Sequence, residues 1–427
     1  MSPMFPKRML RNLCLVALVL LAIDIMLLPV KAQAPETTFS VEERVNTYLT
    51  EAQIEDGAIE LAIALSVNPE DDDLRFGTGF LEFANAVQTL GQSWYQYGLL
   101  SEGGLNSLIP FLRLPVPPNP TPRALSHEKS RQILDQFIQD ILIAEQTLAD
   151  ISSKTVQLGL YFGQAYFDFD ADGQGSPSEA LWRIYAQLNR STEITEEQAA
   201  NFLITLDAGD VYWLRGYCHF MAGILDFYLA HDDSELFNHV AHLFFENPEI
   251  PYSFLTERHP EGYRSESFLD AISLIHLLNL PVIDSQRTEA ALGHLQQVIT
   301  LSRQTWALYR QETDDTNEWI PNPNQTGVIP GVQVTQKMID QWLAFLDETD
   351  AILSGDILLP FWRGFEPVGI NLQRVFMEPS TFDAVRWVQG TAAAPYLETG
   401  ALTDPNFWWR LMDSFNGRFL FFALWFN

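Results

Sequence analysis

Apolar residues recur at three- and four-residue intervals along most of the chain, which is the spacing of a buried helix face. The stretch 74–97 is so densely apolar that it predicts a buried helix. The pattern predicts helices over residues 41–66 (weakened at Gly57), 74–97, 126–153, 177–188, 195–206, 208–230, 233–245, 266–280, 285–312 and 335–353. The sequence therefore indicates a mainly α fold.

Four segments break this periodicity. Residues 112–123 are rich in proline and predict a stiff connector, whereas 156–169 alternate in polarity and predict an extended segment. Residues 313–331 are rich in Asn, Pro, Asp and Gly and predict a loop or linker. Residues 355–427 carry short apolar runs and an aromatic end, and they predict short strands or hairpins.

The predicted architecture is an array of antiparallel helical hairpins, similar to a helical-repeat protein, with a few short strands near residue 168 and in the C-terminal part. Four regions follow: 1–32, a signal peptide; 33–312, a mainly helical domain; 313–331, a loop or linker; and 332–427, a C-terminal helix with short strands packed on the helical domain. The aromatic residues of the last region are expected in the core.

The N-terminal segment has the pattern of an export signal, because basic residues precede the apolar run 13–30 and small residues follow it. Cleavage after Ala32 is preferred to cleavage after Ala34, because it does not leave Pro35 directly after the cut. The alternative is an uncleaved membrane anchor, against which Asp24 argues, since a carboxylate is costly in hydrocarbon. We expect a secreted or periplasmic protein.

Charge restricts the partners of the chain. With 25 Lys and Arg against 55 Asp and Glu, the formal net charge is −30. Residues 1–32 hold four basic residues and one acidic residue, so their removal changes the charge to −33. Such a protein repels nucleic acid and anionic lipid, and it favours cations, neutral ligands or basic partners. Nucleic-acid binding is excluded.

Cysteine contributes no disulfide to the mature chain. The sequence has two cysteines, and Cys14 leaves with the signal peptide. Cys218 lies in an apolar helical segment, so we expect it to be a small buried side chain and not a nucleophile. Stability has to come from the core.

The sharpest motif is an acidic loop at residues 168–179, which reads Asp-Phe-Asp-Ala-Asp-Gly-Gln-Gly-Ser-Pro-Ser-Glu. Alternate carboxylates converge when such a chain wraps around Ca²⁺, which takes six to eight oxygen ligands. The expected ligands are Asp168, Asp170, Asp172, Gln174 through its backbone carbonyl, Ser176 through its side chain or a water, and Glu179 through both carboxylate oxygens. Gly173 allows the sharp turn, and Ser176 is expected to cap a helix that begins at Pro177.

These 12 residues resemble the calcium loop of the EF-hand family. The resemblance implies a bound Ca²⁺ and covers only the loop and the helix after it. Two features depart from the family: an extended segment precedes the loop, and Gly175 stands where paired EF-hands place an apolar residue. A lone loop is more similar to the calcium loops of exported bacterial proteins than to those of sensors, so the resemblance implies a structural ion of weak affinity.

Two other polar groups are weaker candidates. His239 and His242 lie three residues apart on a predicted helix, but zinc needs three or four ligands, so we expect ordinary surface histidines. Arg215, His219 and Asp226 form a polar stripe on an apolar helix. Because buried charges are normally paired, this stripe predicts internal salt bridges more than a ligand pocket.

Catalytic residues cannot be assigned from the sequence. Asp207 with Asp210, or Glu257 near His259, could serve as general acid and base in glycoside chemistry. The sequence has no phosphate-binding glycine loop, no serine-hydrolase elbow and no zinc-protease motif. The common nucleotide-binding and hydrolase classes therefore lack support.

The leading hypothesis is an exported calcium-binding helical protein, a binding or scaffold protein of the cell envelope with a structural calcium ion and an unknown protein or glycan partner. It would contact a membrane only if the N-terminal segment is retained. The alternative is a calcium-stabilised enzyme acting on polysaccharide, a glycoside hydrolase or lyase built as an α/α toroid. A cleft with two opposed carboxylates and exposed tryptophans would favour the enzyme.

Overall fold

The computed structural model describes residues 39–101, 109–183, 202–257, 263–328, 333–364, 367–415, 417–419 and 422–423. Its helices are α1 (Val41–Thr50), α2 (Ile54–Val67), α3 (Asp72–Gln96), α4 (His127–Ala149), α5 (Ala208–Leu229), α6 (Ser234–Val240), α7 (Tyr263–Leu277), α8 (Ser285–Tyr309), α9 (Gln336–Leu353), α10 (Leu372–Met377), α11 (Ala384–Gln389) and α12 (Pro405–Ser414). The mainly α fold is confirmed. The predicted signal peptide, residues 1–32, lies outside the described residues.

The strands are short and antiparallel. They are β1 (Gln157–Tyr161), β2 (Leu203–Asp207), β3 (Asn279–Leu280), β4 (Leu359–Pro360), β5 (Val368–Ile370), β6 (Phe382–Asp383) and β7 (Leu397–Thr399). β1 pairs with β2, β3 pairs with β6, and β5 lies between β4 and β7. None of the described helices combines the length and apolarity that a bilayer crossing requires.

Several helices begin where the sequence places a capping side chain. The Ser126 hydroxyl accepts from the Lys129 N–H at the start of α4, and Thr335 caps α9 in the same way. Asp207 caps α5, and its own N–H donates to the Asp210 carboxylate. Each of these bonds satisfies a backbone group that the first helical turn leaves without a partner.

The predicted helix over 41–66 is two helices, and the break lies at residues 51–53 instead of Gly57. Ala52 adopts a left-handed conformation with φ of 55°, which ends α1. Gly57 is helical inside α2, and its missing side chain leaves room for the Tyr48 ring, which a Cβ would approach to 2.5 Å. Gly57 therefore allows close packing between the two helices and does not end a helix.

The predicted helix over 195–206 is wrong where the structure describes it. Residues 195–201 lie outside the described part, and Leu203–Asp207 forms β2. Ile204 and Leu206 point alternately into the core while their neighbours are only partly buried, which is the period of a strand. Pairing of β2 with β1 therefore overrides the local helical pattern.

The C-terminal part contains the predicted short strands, but it also contains three helices that the sequence reasoning missed. Asn371, Asp383 and Asp404 cap α10, α11 and α12, respectively, and Pro405 occupies the first turn of α12. Each helix has only six to ten residues. Segments this short carry too few turns for apolar periodicity to be recognised.

Long helices pack in pairs around the core. α5 lies along both α8 and α4, α3 lies along α2 and α4, and α9 contacts α8 and α12. The predicted aromatic core at the C-terminus is confirmed for Phe419 and Phe422, whereas Trp408 is partly buried and Trp409 is 76% exposed. Phe421, Trp425 and Phe426 lie outside the described residues.

The polar stripe on α5 is paired internally, as predicted. It meets carboxylates and basic groups of α4 and α8 at the centre of the helix array. The pairs are Arg215 with Glu145 (2.9 Å), His219 with His294 (2.8 Å between Nδ1 atoms) and Asp226 with Arg287 (2.7 Å). These contacts join three long helices through internal pairs.

Cys218 is fully buried in α5, in agreement with its apolar surroundings in the sequence. Burial raises the pKa of its thiol far above the usual range, because the thiolate would lose its hydration.

We therefore expect the native chain from residue 33 onward to resist a disulfide reagent such as 5,5′-dithiobis(2-nitrobenzoic acid). The denatured chain is expected to react at Cys218 and to release one equivalent of the reagent's thiolate, which is measured by its absorbance. Rapid reaction of the native protein would contradict the buried position.

Candidate metal centre

The acidic loop 168–179 lies between β1 and a helical segment described from Leu181. The backbone ties the two ends of the loop together: the Phe167 N–H donates to the Glu179 carbonyl (3.1 Å), and the Leu181 N–H donates to the Ala165 carbonyl (2.9 Å). These antiparallel contacts close the loop at its base. Its carboxylates are therefore held on a fixed frame.

The first acidic residue, Asp168, is attached to α3. Its backbone N–H donates to the Gln88 side chain (3.0 Å), and its carbonyl accepts from the Gln92 side chain (2.8 Å). Its carboxylate accepts from the N–H groups of Asp172 (3.0 Å) and Gly173 (3.1 Å). Asp168 is also buried, so its position is set before any ion is bound.

The chain then turns so that three carboxylates converge. The possible ligand oxygens of Asp168, Asp170 and Asp172 all lie within 4.8 Å of one another. Ala171 (φ 59°) and Gly173 (φ 83°) adopt left-handed conformations that produce this turn. A left-handed alanine is strained by roughly 1 kcal/mol or more, and such strain is typical of functional loops.

Glu179 closes the loop from within. It is fully buried, and its carboxylate accepts from the N–H groups of Phe169 (2.7 Å), Asp170 (3.1 Å) and Ser176 (3.0 Å). Its oxygens do not belong to the convergent group of three. Glu179 therefore orders the backbone beside the acidic cluster in this structure.

The helix after the loop begins later than predicted. Ser176–Glu179 is a turn, in which the Glu179 N–H donates to the Ser176 carbonyl, and helical residues are described from Leu181. The prediction that Pro177 begins the helix is wrong, because the antiparallel contact of Ala180 with Tyr166 keeps residue 180 extended. The Ser176 hydroxyl pairs with Ser178, and Gln174 is exposed.

No basic side chain balances these four carboxylates among the ion pairs of the described residues. Burial and the nearby Glu179 carboxylate raise the pKa of Asp170. An oxygen-rich site with excess negative charge and no cationic partner has the donor set of a hard cation. The residues therefore fit a divalent ion such as Ca²⁺.

Phe169 joins the loop to the hydrophobic core. Its ring is fully buried, stacks on Phe167 with centroids 5.0 Å apart, and lies against Gly91 of α3. Because Phe169 is flanked by two acidic residues of the cluster, its packing fixes their spacing. The sequence alone gave no signal for the contact of Phe169 with Gly91, or for the contacts of Asp168 with Gln88 and Gln92. In each case the α3 residue lies far from the loop along the chain.

A second acidic cluster joins β2, the end of α8 and the loop after it. The carboxylates of Asp207, Glu312 and Glu318 lie within 4.8 Å of one another. Burial and the proximity of Asp207 raise the pKa of Glu312 to about 9, and burial raises that of Glu318 to about 7. Burial also raises the pKa of Asp210 well above its usual range, although Asp210 accepts from the Tyr309 hydroxyl at 2.6 Å.

This second cluster bears on the glycoside chemistry considered for Asp207 and Asp210. Asp207 caps α5, and Asp210 is held by Tyr309 and the Asp207 backbone. Both carboxylates of the predicted pair therefore already have hydrogen-bond partners inside the fold. Glu257 is exposed, and His259 lies outside the described residues.

The two histidines of the α6 region make separate contacts. His242 Nε2 lies 3.5 Å from Asp270, and the His239 ring packs on Tyr252 with centroids 4.9 Å apart. Neither histidine belongs to a group of three convergent ligands within the described part of the chain.

In comparisons with protein-family models, curated proteins and solved structures, the chain matches none of them.

Proposed function

We propose that the chain is an exported calcium-binding helical protein, a binding or scaffold protein of the cell envelope in which Ca²⁺ has a structural role. The observation that carries the proposal is the convergence of Asp168, Asp170 and Asp172 in a loop already closed by its backbone. The proposed ligand set is completed by the Gln174 carbonyl, Ser176 and Glu179. Export is supported by the N-terminal sequence pattern.

The donor chemistry favours calcium over other common ions. The loop offers carboxylate, hydroxyl and carbonyl oxygens and no sulfur or imidazole, which disfavours zinc and copper. Mg²⁺ demands near-ideal octahedral geometry and keeps several waters, whereas Ca²⁺ accepts six to eight oxygens of varied kind in a less strict geometry. The proposed site is therefore a calcium site.

A structural role follows from where the loop is attached. Gln88, Gln92 and Gly91 connect it to α3, and Phe169 lies in the core. An ion that holds the carboxylates together would relieve their mutual repulsion and stabilise this junction. In a sensor, calcium opens a helix pair, whereas this loop is joined to one helix and to β1.

Calorimetric titration of the chain from residue 33 onward with Ca²⁺ tests the proposal. We expect one site with a Kd of roughly 0.1–1 mM. Glu179→Gln is expected to weaken binding by about 100-fold, or about 2.7 kcal/mol, because it removes a ligand charge and a backbone acceptor together.

Glu289→Gln is the matched control, since Glu289 is exposed on α8, away from the loop. It is expected to bind Ca²⁺ like the wild type. Absence of binding at millimolar Ca²⁺, or equal binding by wild type and Glu179→Gln, would overturn the site assignment.

A further inference from the structure

A polar groove runs along α3 beside the acidic loop. It consists of two adjoining depressions with volumes of ≈370 Å³ and ≈350 Å³, which share Thr89 and Ser93 in their walls. The first lies between α3, the proline-rich connector and loop residues Asp170 and Ala171. The second lies between α3 and α4. The groove is thus an extended surface and not an isolated pit.

Uncharged hydrogen-bonding side chains line both sides of this groove. On α3 they are Thr89, Gln92, Ser93 and Gln96, at the spacing of a single helix face. On α4 they are Gln132, Gln136 and Gln139, again on a single face. Two facing helices therefore present amides and hydroxyls toward the same space. Gln92, Gln136 and Gln139 each use one amide donor within the fold, which leaves the second donor and the carbonyl oxygen of each for a ligand.

The groove is close to neutral although the chain has a net charge of −30. Asp135 pairs with Arg287, whereas Asp140 keeps its negative charge and accepts from the Gln136 amide at 2.8 Å. Lys129 and Arg123 also line the groove, and they equal in number the two unpaired carboxylates, Asp140 and Asp170, without an ion pair to Asp170 among the described residues. A charged ligand would gain little here, so selection depends on hydrogen bonding.

The lining matches a ligand whose groups both donate and accept. A side-chain amide offers two donors and one acceptor, and a hydroxyl offers both roles. Beneath the polar rows lie the buried apolar side chains of Leu90, Ile133 and Phe137. A sugar ring has the same division, with hydroxyls at its edge and C–H groups on its faces.

An aromatic residue stands at the end of the groove next to the acidic loop. Tyr95 lines the depression beside Asp170, and its hydroxyl makes no hydrogen bond within the described part of the chain. Its ring and hydroxyl therefore offer a sugar both an apolar face and a polar contact.

We infer that the polar groove binds a neutral, hydroxyl-rich glycan chain, with Asp170 and Ala171 of the loop as one wall. This inference goes beyond the proposed function and does not depend on a bound ion, because backbone hydrogen bonds hold that wall in place. A protein partner is disfavoured, because the centre of a protein interface is normally built from exposed aromatic and apolar anchors, and the apolar residues here lie below the surface.

The test uses cellohexaose, maltohexaose, xylohexaose and mannohexaose with the chain from residue 33 onward, in millimolar CaCl₂. Titration calorimetry is expected to detect binding of at least one oligosaccharide. The double variant Gln96→Ala/Gln136→Ala is expected to weaken that binding at least about 10-fold, or about 1.4 kcal/mol. Gln297→Ala, an exposed position on α8, is the matched control and is expected to bind normally.

Both substituted glutamines lie on the rim of the groove, so neither substitution is expected to change the unfolding temperature. Thermal unfolding of each variant therefore shows whether weaker binding comes from lost contacts with the sugar or from loss of the fold. No binding by any of the four oligosaccharides, or equal binding by the double variant, would overturn the inference. Calcium titration is measured separately: sugar binding without calcium binding would refute the proposed function alone, and calcium binding without sugar binding would refute this inference alone.

Discussion

Gly91→Ala is expected to lower the free energy of unfolding by about 3 kcal/mol, the upper end of the usual cost of overpacking a core. A Cβ at this position of α3 would overlap the Phe169 ring. The ring cannot move aside freely, because it is fully buried and stacks on Phe167. Urea unfolding with and without Ca²⁺ measures the effect. Calcium affinity is also expected to fall, because Phe169 separates Asp168 from Asp170.

Gly293→Ala is the control, because it also replaces a helical glycine by alanine. Gly293 lies in α8, and a Cβ there would meet no atom within 4 Å. Alanine in an open helical position is expected to stabilise the protein by about 0.5–1 kcal/mol. Equal effects of the two substitutions would contradict the packing of Phe169 against Gly91.

The free energy of unfolding is expected to fall as the pH rises from about 5 to about 9. In the folded protein the pKa of Glu318 is about 7 and that of Glu312 is about 9, both above the ordinary 4.5. The folded state thus keeps protons that the unfolded chain has released. The stability that these groups contribute is complete below about pH 4.5 and is lost as the pH rises through their folded pKa values.

Glu312→Gln is expected to reduce this loss, because the amide keeps the neutral form at every pH. Relative to wild type, the variant is expected to gain about 1–3 kcal/mol on going from pH 5 to pH 9. Urea unfolding across this range, with a chelator present, measures the difference. Glu289→Gln is expected to follow the wild-type curve, and parallel curves for Glu312→Gln and wild type would contradict the proximity of Glu312 to Asp207.

The helical framework could be predicted because its signals are local. The boundaries of α4 and α9 follow from Ser126 and Thr335, whose caps are visible in the sequence. The strand β2 could not be predicted, because its identity depends on pairing with β1, more than forty residues earlier in the chain. Apolar periodicity describes a single segment and contains no information about its partner.

The acidic loop also has features that could be predicted from the sequence and features that could not. The alternation of Asp168, Asp170 and Asp172 predicted their convergence, because alternate residues meet inside a tight turn. The start of the following helix was misplaced, since the contact between Tyr166 and Ala180 is tertiary. The cluster of Asp207, Glu312 and Glu318 was also beyond sequence reasoning, because about a hundred residues separate its first member from the others.

The hydrogen bonds from the loop backbone to Glu179 and Asp168 have a further consequence. They hold the loop in shape without an ion, so calcium binding is expected to change stability far more than it changes conformation. At a free Ca²⁺ concentration ten times the Kd, binding adds about 1.4 kcal/mol to the free energy of unfolding. Under the proposed export, the chain is expected to be less resistant to proteolysis where calcium is scarce, as at its site of synthesis, and more resistant in a calcium-rich exterior. Calcium would thus slow proteolysis of the chain only after export.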